Sequence, residues 1–326
     1  MADIVTLDRA DKIAADALRH WGGNASDPQR VRMRDNIIYR VARRDGTLSA
    51  LRIHRDDRYS SQAVRSEIAF LMLLERADFL CPRPLRTVDN RLMVTEGGCA
   101  VTMLAWIFGK RAAEMTEDLN GPFENRQRLF FDFGNVIAHF HNTVDAMELP
   151  LGFERPSWDA EALLGNNPHW GRFWENPNLT TGERSILIEA RKKARGDLED
   201  YISIGDDFGL IHGDIQLENV IVYQRRMGLI DMSDFGPGFR LYDLCSVLVD
   251  RIDSPYLEQE TAALIEGYRS RRELPDHALD YIPMMIMLRT MALAGWVMDR
   301  FHSEEPEMRD YAARAAKTAK DWLEQG

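Results

Sequence analysis

Cysteine is scarce: Cys81, Cys99 and Cys245 are the only three in 326 residues. An odd, widely spaced set with no pair at metal-ligand spacing argues against a disulfide framework and a cysteine-held zinc site, and reads as reduced, buried thiols in a reducing compartment. Basic charge is short as well. Forty-one Lys and Arg against 52 Asp and Glu leave a net charge of −11, which argues against a general binder of nucleic-acid backbones, since those need a basic face. One nucleotide held by a local cationic site remains compatible with it. The start, MADIVTLDRADK, lacks the basic-then-apolar profile of a signal peptide. Neither an internal repeat nor a low-complexity segment is present. A single stretch, Tyr281–Met298 (YIPMMIMLRTMALAGWVM), is apolar enough to be mistaken for a membrane span. Its length is marginal, Pro283 stands near its start, and Arg289 at its centre costs about 2.5–3.5 kcal/mol on insertion scales. It reads as a buried helix. The expectation is a soluble, cytoplasmic protein with no membrane and no nucleic-acid partner; oligomeric state is left open.

What the chain does have is ordinary globular material, 45% hydrophobic and 29% charged, which fits neither disorder nor a fibre. Its length suits two lobes better than one core. Ile13, Ala14, Ala17 and Leu18 recur at helical spacing and predict a helix over Asp8–His20. Val31–Ala42 alternates as a strand, Asp45-Gly46 is a hairpin dipeptide, and Leu48–His54 returns with Leu51 and Ile53 on one face and Arg52 on the other. Ser60 or Ser61 caps a helix to Arg76, whose apolar stripe is Val64, Ile68, Leu71 and Met72, with Glu67 beside it. After a rigid Cys81-Pro-Arg-Pro connection, Leu92–Thr95 and Ala100–Leu104 read as two more strands joined through Gly97-Gly98. Four strands and a helix thus make a small antiparallel lobe over residues 1–103. Residues 104–326 are expected to be mainly helical, with helices over Gln127–His141, Glu183–Ile202 (charged, on the surface), Asp243–Ile252, Tyr256–Arg271, His277–Phe301 and Met308–Leu323. An irregular Trp-rich insertion, Pro156–Thr181, interrupts them.

The stretch that carries chemistry is Leu210–Leu244, LIHGDIQLENVIVYQRRMGLIDMSDFGPGFRLYDL. Asp214 and Asn219 stand five apart on either side of a bend. Val220–Val222 reads as a buried strand, Arg225-Arg226 as a tight turn, and Met227–Ile230 as a second strand ending at Asp231. Such a hairpin brings a carboxylate, an amide and a second carboxylate to one mouth. Oxygen donors of this kind suit a magnesium-nucleotide site, because hard cations take oxygen ligands and magnesium keeps few protein ones.

With HGDIQLEN at His212–Asn219, IDMSD at Ile230–Asp234 and LYDL at Leu241–Leu244, supported by ALRIHR at Ala50–Arg55 and SEIAFL at Ser66–Leu71, the chain resembles the aminoglycoside phosphotransferase and choline kinase family. Bacterial members similar to homoserine kinases and to SrkA/RdoA-type stress-response kinases fit best. The resemblance runs from about Val31 to Phe301. It implies an α+β, bilobal protein-kinase-like fold with a small antiparallel β lobe that binds nucleotide (1–103) and a larger, mainly helical lobe (104–326) with hinge, catalytic loop and acceptor site. It implies an enzyme that uses ATP or GTP with Mg2+ to phosphorylate the hydroxyl of a small molecule, aminoglycoside-, choline- or homoserine-like. A Ser/Thr protein kinase of the stress-response type and a regulatory nucleotide-binding pseudokinase are the alternatives.

Residue by residue, the resemblance makes Asp214 the catalytic aspartate that accepts or orients the acceptor's proton, and Asn219 and Asp231 the metal ligands. His212 braces the loop, and Asp243 ties a large-lobe helix to it. On the nucleotide side it implicates Arg52, Glu67, Asn36, Leu104 and Trp106. Four departures stand out. Arg52 replaces the usual phosphate-gripping lysine, with Glu67 as its helix partner; the competing reading is a surface strand arginine. No Gly-rich loop is present, and MRDN at Met33–Asn36 occupies that turn. Gln216 reads either as reaching the metal's outer shell or as a plain loop amide, and Glu218 as facing solvent rather than adding a carboxylate. Asp234, Arg240, Arg289, Trp296 and the Trp-rich insertion are the acceptor-side candidates. An aromatic cage for a quaternary amine is the less favoured reading of those tryptophans.

Overall fold

The computed structural model describes residues 7–33, 36–55, 60–205, 207–224 and 226–325. In chain order it has α1 (Leu7–Ala17), β1 (Gln29–Met33), β2 (Asn36–Ala42), β3 (Leu48–His54), α2 (Ser61–Arg76), β4 (Met93–Glu96) and β5 (Cys99–Ala105). There follow β6 (Lys110–Arg111), α3 (Thr116–Leu119), α4 (Phe123–Asp145), α5 (Ala160–Leu164), α6 (Thr181–Ile204), β7 (Phe208–Ile211), β8 (Val220–Tyr223), β9 (Arg226–Leu229) and β10 (Gly236–Phe239). The chain closes with α7 (Arg240–Ser246), α8 (Leu257–Arg269), α9 (Ile282–Trp296) and α10 (Pro306–Gln325). The class is α+β, as expected. Two compact units result: Met1–Gly109 with Met147–Arg155 and Tyr223–Ser233, and Lys110–Ala146 with Pro156–Val222 and Asp234–Gly326.

The first unit is built on an antiparallel sheet of order β1-β2-β3-β5-β4. It has five strands rather than four, because the alternating stretch Val31–Ala42 is two strands paired from Gln29↔Arg40 to Met33↔Ile37. The alternation of Val31 and Met33 and that of Ile37, Tyr39 and Val41 are separated by the polar run Arg34-Asp35-Asn36, so the sequence does mark a break between two strands. Arg34 and Asp35 of the MRDN stretch, Arg58, and Arg225 of the expected Arg225-Arg226 turn lie outside the described residues. One face of the sheet closes against α1, where Ile13, Ala14 and Ala17 share a core with Ile37, Leu51, Ile53 and Val101. Tyr39 reaches out of that core to Asp11 at 2.6 Å. Ser60 is the residue that caps α2, accepting from the Ala63 amide at 3.0 Å.

In the second unit α4 crosses α8 with backbone close to backbone. A Cβ at Gly134 would stand 1.9 Å from the Leu264 carbonyl oxygen, and one at Gly267 1.9 Å from that of Phe131. Only glycine allows this approach. The expected surface helix is half right: α6 is charged outside, yet it buries Leu187, Ala190, Ala194 and Leu198. Asp276–Asp299, which contains α9, is long and apolar enough to cross a membrane, but its most apolar stretch is 67% buried in the unit. It is a core helix. Strands β7 and β10 pair antiparallel from Ile211↔Gly236 to Phe208↔Phe239, an addition that the Gly-Pro-Gly sequence did not announce.

The start of α6 yields an acid-stability prediction. Thr180 and Glu183 form a reciprocal capping box, and Glu183 also takes two bonds from Arg309, each 2.7 Å. The Arg309 bonds first, then the Thr180 bonds, hold the Glu183 carboxyl down to about 2 from its ordinary 4.5. Its folded value lies below its unfolded one, so its stabilisation is complete above about pH 4.5 and disappears as pH falls toward 2. Glu183→Gln is expected to cost about 1 kcal/mol at pH 7 and far less at pH 2, read from urea melts at both pH values.

Candidate active site

The second unit carries the Asp214 loop. Gly213 holds φ at +80°, and a Cβ there would lie 2.6 Å from the Asp234 carbonyl and 2.7 Å from Trp158 Nε1. Glycine before the aspartate is therefore a steric necessity. The buried Asp243 carboxylate accepts from the amides of His212 (2.6 Å) and Gly213 (2.9 Å). His141 Nε2 stands 3.2 Å from the same carboxylate, with Tyr268 2.9 Å from its other nitrogen. The His212 ring, fully buried, accepts from the Asp214 amide at 3.2 Å. Anchored in this way, the loop presents Asp214 with donors on both oxygens: Gln216 at 2.8 Å and Arg289 on Oδ1, and Asn219 at 2.9 Å on Oδ2. Asn219 also donates to the Asp214 carbonyl at 2.9 Å. Both of its amide bonds come from the nitrogen. Its Oδ1 is buried and accepts no hydrogen bond among the described residues, an arrangement that calls for an ion or water. Glu218 faces outward in an ion pair with Arg111.

The first unit carries the arginine side. Arg52 is buried at 4% exposure, so the surface-arginine reading does not hold. It sits in β3 between Ile38 of β2 and Thr102 of β5, and Nη1 donates to Glu67 on α2 at 2.5 Å. Nη2 stands 3.8 Å from Asp231. Asp231 follows β9 with φ at +62°, a left-handed conformation that short polar residues tolerate. Its carboxylate accepts from Arg32 at 3.1 Å and from Ser233 at 2.8 Å. His54 lies 2.9 Å from Thr102 Oγ1; burial, followed by the charges of Arg52 and Arg155, drives its pKa well below the ordinary histidine value and leaves it neutral. Asn36, opposite His54, and Leu104 on β5 are buried. Trp106 follows β5, its amide bonded to the Leu48 carbonyl at 3.1 Å.

The tryptophans of the second unit pack on the chain's own groups. Trp158 stands edge-on to Trp170, centroids 5.0 Å apart, and stacks on Tyr242. Trp170 donates to the Asp234 carboxylate at 3.2 Å, and Trp158 to its carbonyl at 2.7 Å. Guanidinium groups cover the other faces: Arg289 over Trp170 (4.6 Å), Arg300 over Trp296 (4.5 Å) and Arg191 over Trp174 (4.1 Å). Arg240 pairs with Asp145 at 2.7 Å. Sequence reasoning missed the Arg32–Asp231 and Arg289–Asp214 pairs. Only the second had a signal, a lone cation in an apolar helix that requires a carboxylate partner.

A family model described as the phosphotransferase enzyme family (APH) matches residues 34–278, well over half of the chain. This chain belongs to the phosphotransferase enzyme family. Amicoumacin kinase of Bacillus subtilis (strain 168) is 20% identical over 322 residues, covering 94% of this chain and 91% of that protein. The structure of the microcompartment-associated aminopropanol kinase has a TM-score of 0.82 at 29% identity and covers 96% of this chain and 98% of that one. An amicoumacin kinase in complex with AMP-PNP, Ca2+ and Ami has a TM-score of 0.76 at 17% identity, covering 94% and 92%. The fold is protein-kinase-like. As a member of the phosphotransferase family the chain is an enzyme that transfers phosphoryl groups to hydroxyl acceptors, a small-molecule phosphotransferase, and the regulatory-module reading falls away.

Proposed function

We propose that this phosphotransferase moves the γ-phosphoryl group of ATP, with Mg2+, to a hydroxyl of a small aminoglycoside-, choline- or homoserine-like molecule. The observation that carries this reading is the Asp214 carboxylate, fixed by three donors in a loop locked by Asp243, within a family of phosphotransferases. In the proposed reaction Asp214 orients the acceptor hydroxyl and takes its proton as the new O–P bond forms and the bond to the leaving diphosphate breaks. Asn219 and Asp231 supply oxygens for the divalent ion, and the unsatisfied Asn219 Oδ1 fits that role. When bound, the ion neutralises charge on the transferring phosphates. Residues 1–103 are the nucleotide side in this reading, with Arg52 and its Glu67 partner on phosphate and Asn36, Leu104 and Trp106 lining the site. Residues 104–326 hold the acceptor. His212 and Asp243 keep the loop in place, Gln216 holds Asp214, and Asp234 and its tryptophans stand on the acceptor side.

The aminopropanol and amicoumacin kinases lend the small-molecule reading its support, and the burial of α9 fits a core helix rather than a membrane span; a cytoplasmic location is part of the same proposal. The test is a panel of amino-alcohol, amino-sugar and hydroxy-amino-acid acceptors with γ-labelled ATP, alongside a protein acceptor mixture. Label is expected in small molecules; label in proteins alone would overturn the reading.

A further inference from the structure

Arg289 lies in the middle of α9 and is fully buried. Its guanidinium donates to the Asp214 carboxylate and, at 3.1 Å, to the Gly213 carbonyl. One face lies over Trp170, and Tyr242 stands 5.9 Å away. Neighbouring helix positions are Met287, Leu288, Thr290 and Met291, all buried, and of these only Thr290 is polar, its hydroxyl bonded to the Met287 carbonyl and to Thr318. A helix that had only to fill the core would have another apolar residue at this position. Replacing a buried ion pair by apolar groups of similar volume is often neutral or stabilising, because desolvating the charges costs several kcal/mol. Fold stability therefore does not account for the arginine. Its geometry offers another account: two nitrogens of one rigid fork fix the aspartate side chain and the backbone beside it, a task lysine's single point charge performs only in part.

We propose that Arg289 is a positioning residue for phosphoryl transfer, which holds the Asp214 carboxylate and the Gly213 backbone in one fixed arrangement. The proposal rests on Asp214 acting on the acceptor hydroxyl. Misplacement of a reacting group by about 1 Å costs on the order of 100-fold in rate, and that is the loss expected on cutting the fork.

The test uses the full chain and the variants Arg289→Met, Arg289→Lys, Asp214→Asn and Arg289→Met/Asp214→Asn, with ADP release from MgATP and urea unfolding measured for each. Arg289→Met is expected to lower kcat about 100-fold with the KM for MgATP within about twofold, and Arg289→Lys to recover about a tenth of the wild-type rate. Any activity left in Asp214→Asn should fall no further in the double variant. In unfolding, the double variant's equilibrium constant should depart at least about fivefold from the product of the single effects, since the two residues act as a unit. Wild-type kcat in Arg289→Met overturns the proposal. So do additive unfolding effects, or a lysine variant as slow and as unstable as the methionine one. Full activity in Asp214→Asn instead removes the reading of Asp214 on which the proposal rests.

Discussion

Asp214→Asn is expected to slow phosphoryl transfer by about 10²–10⁴-fold, the range a positioned acid–base group supplies. Asparagine keeps the shape and one oxygen for Gln216 and Arg289, whose bonds hold Asp214 now, but it has no negative charge to receive a proton. Nucleotide affinity should stay within a few-fold. A second effect accompanies the first. Arg289, wholly buried, exchanges a carboxylate for a neutral amide, so stability should fall by roughly 1–3 kcal/mol. Urea melts separate the two effects, because rates measured well below the unfolding midpoint report only on chemistry. A variant that is less stable yet fully active would remove Asp214 from the reaction.

Arg52→Met is expected to destabilise the first unit by roughly 3–5 kcal/mol, the usual cost of leaving one member of a buried pair without its partner. The Glu67 side chain is 3% exposed, so water cannot solvate the charge that remains. Arg52→Met/Glu67→Met should recover most of that stability, because the charges leave together. Neither variant should recover nucleotide affinity if Arg52 binds phosphate as proposed, since that cation is gone from both. Urea melts and AMP-PNP titration decide between the roles. Wild-type affinity in the double variant would make the pair purely structural.

Contacts that are set locally were legible in the sequence. Asp214 and Asn219 lie in one bend between apolar runs, and their mutual bonds span five residues; the Arg52–Glu67 pair follows from a strand and the next helix. Long-range partners were not. Arg32 belongs to an exposed edge strand whose alternation says nothing of Asp231, 199 residues on. Arg289 was visible as an odd charge in an apolar helix, but its partner stands 75 residues earlier. The tryptophans were visible by composition alone, and composition cannot reveal that the chain's own guanidiniums cover them. β10 was hidden by its Gly-Pro-Gly sequence, which has low strand propensity. Gly238 is there for space, as a Cβ would meet the Ile211 side chain at 2.4 Å.

Calorimetric titration of AMP-PNP, with Mg2+ and with EDTA, tests the central claim most directly when wild type, Asn219→Ala and Asp231→Ala are compared. The predicted result is divalent-dependent binding in wild type, with the dependence lost or weakened at least about tenfold, near 1.4 kcal/mol, in each variant. Equal binding by all three proteins in EDTA and in Mg2+ would contradict the account.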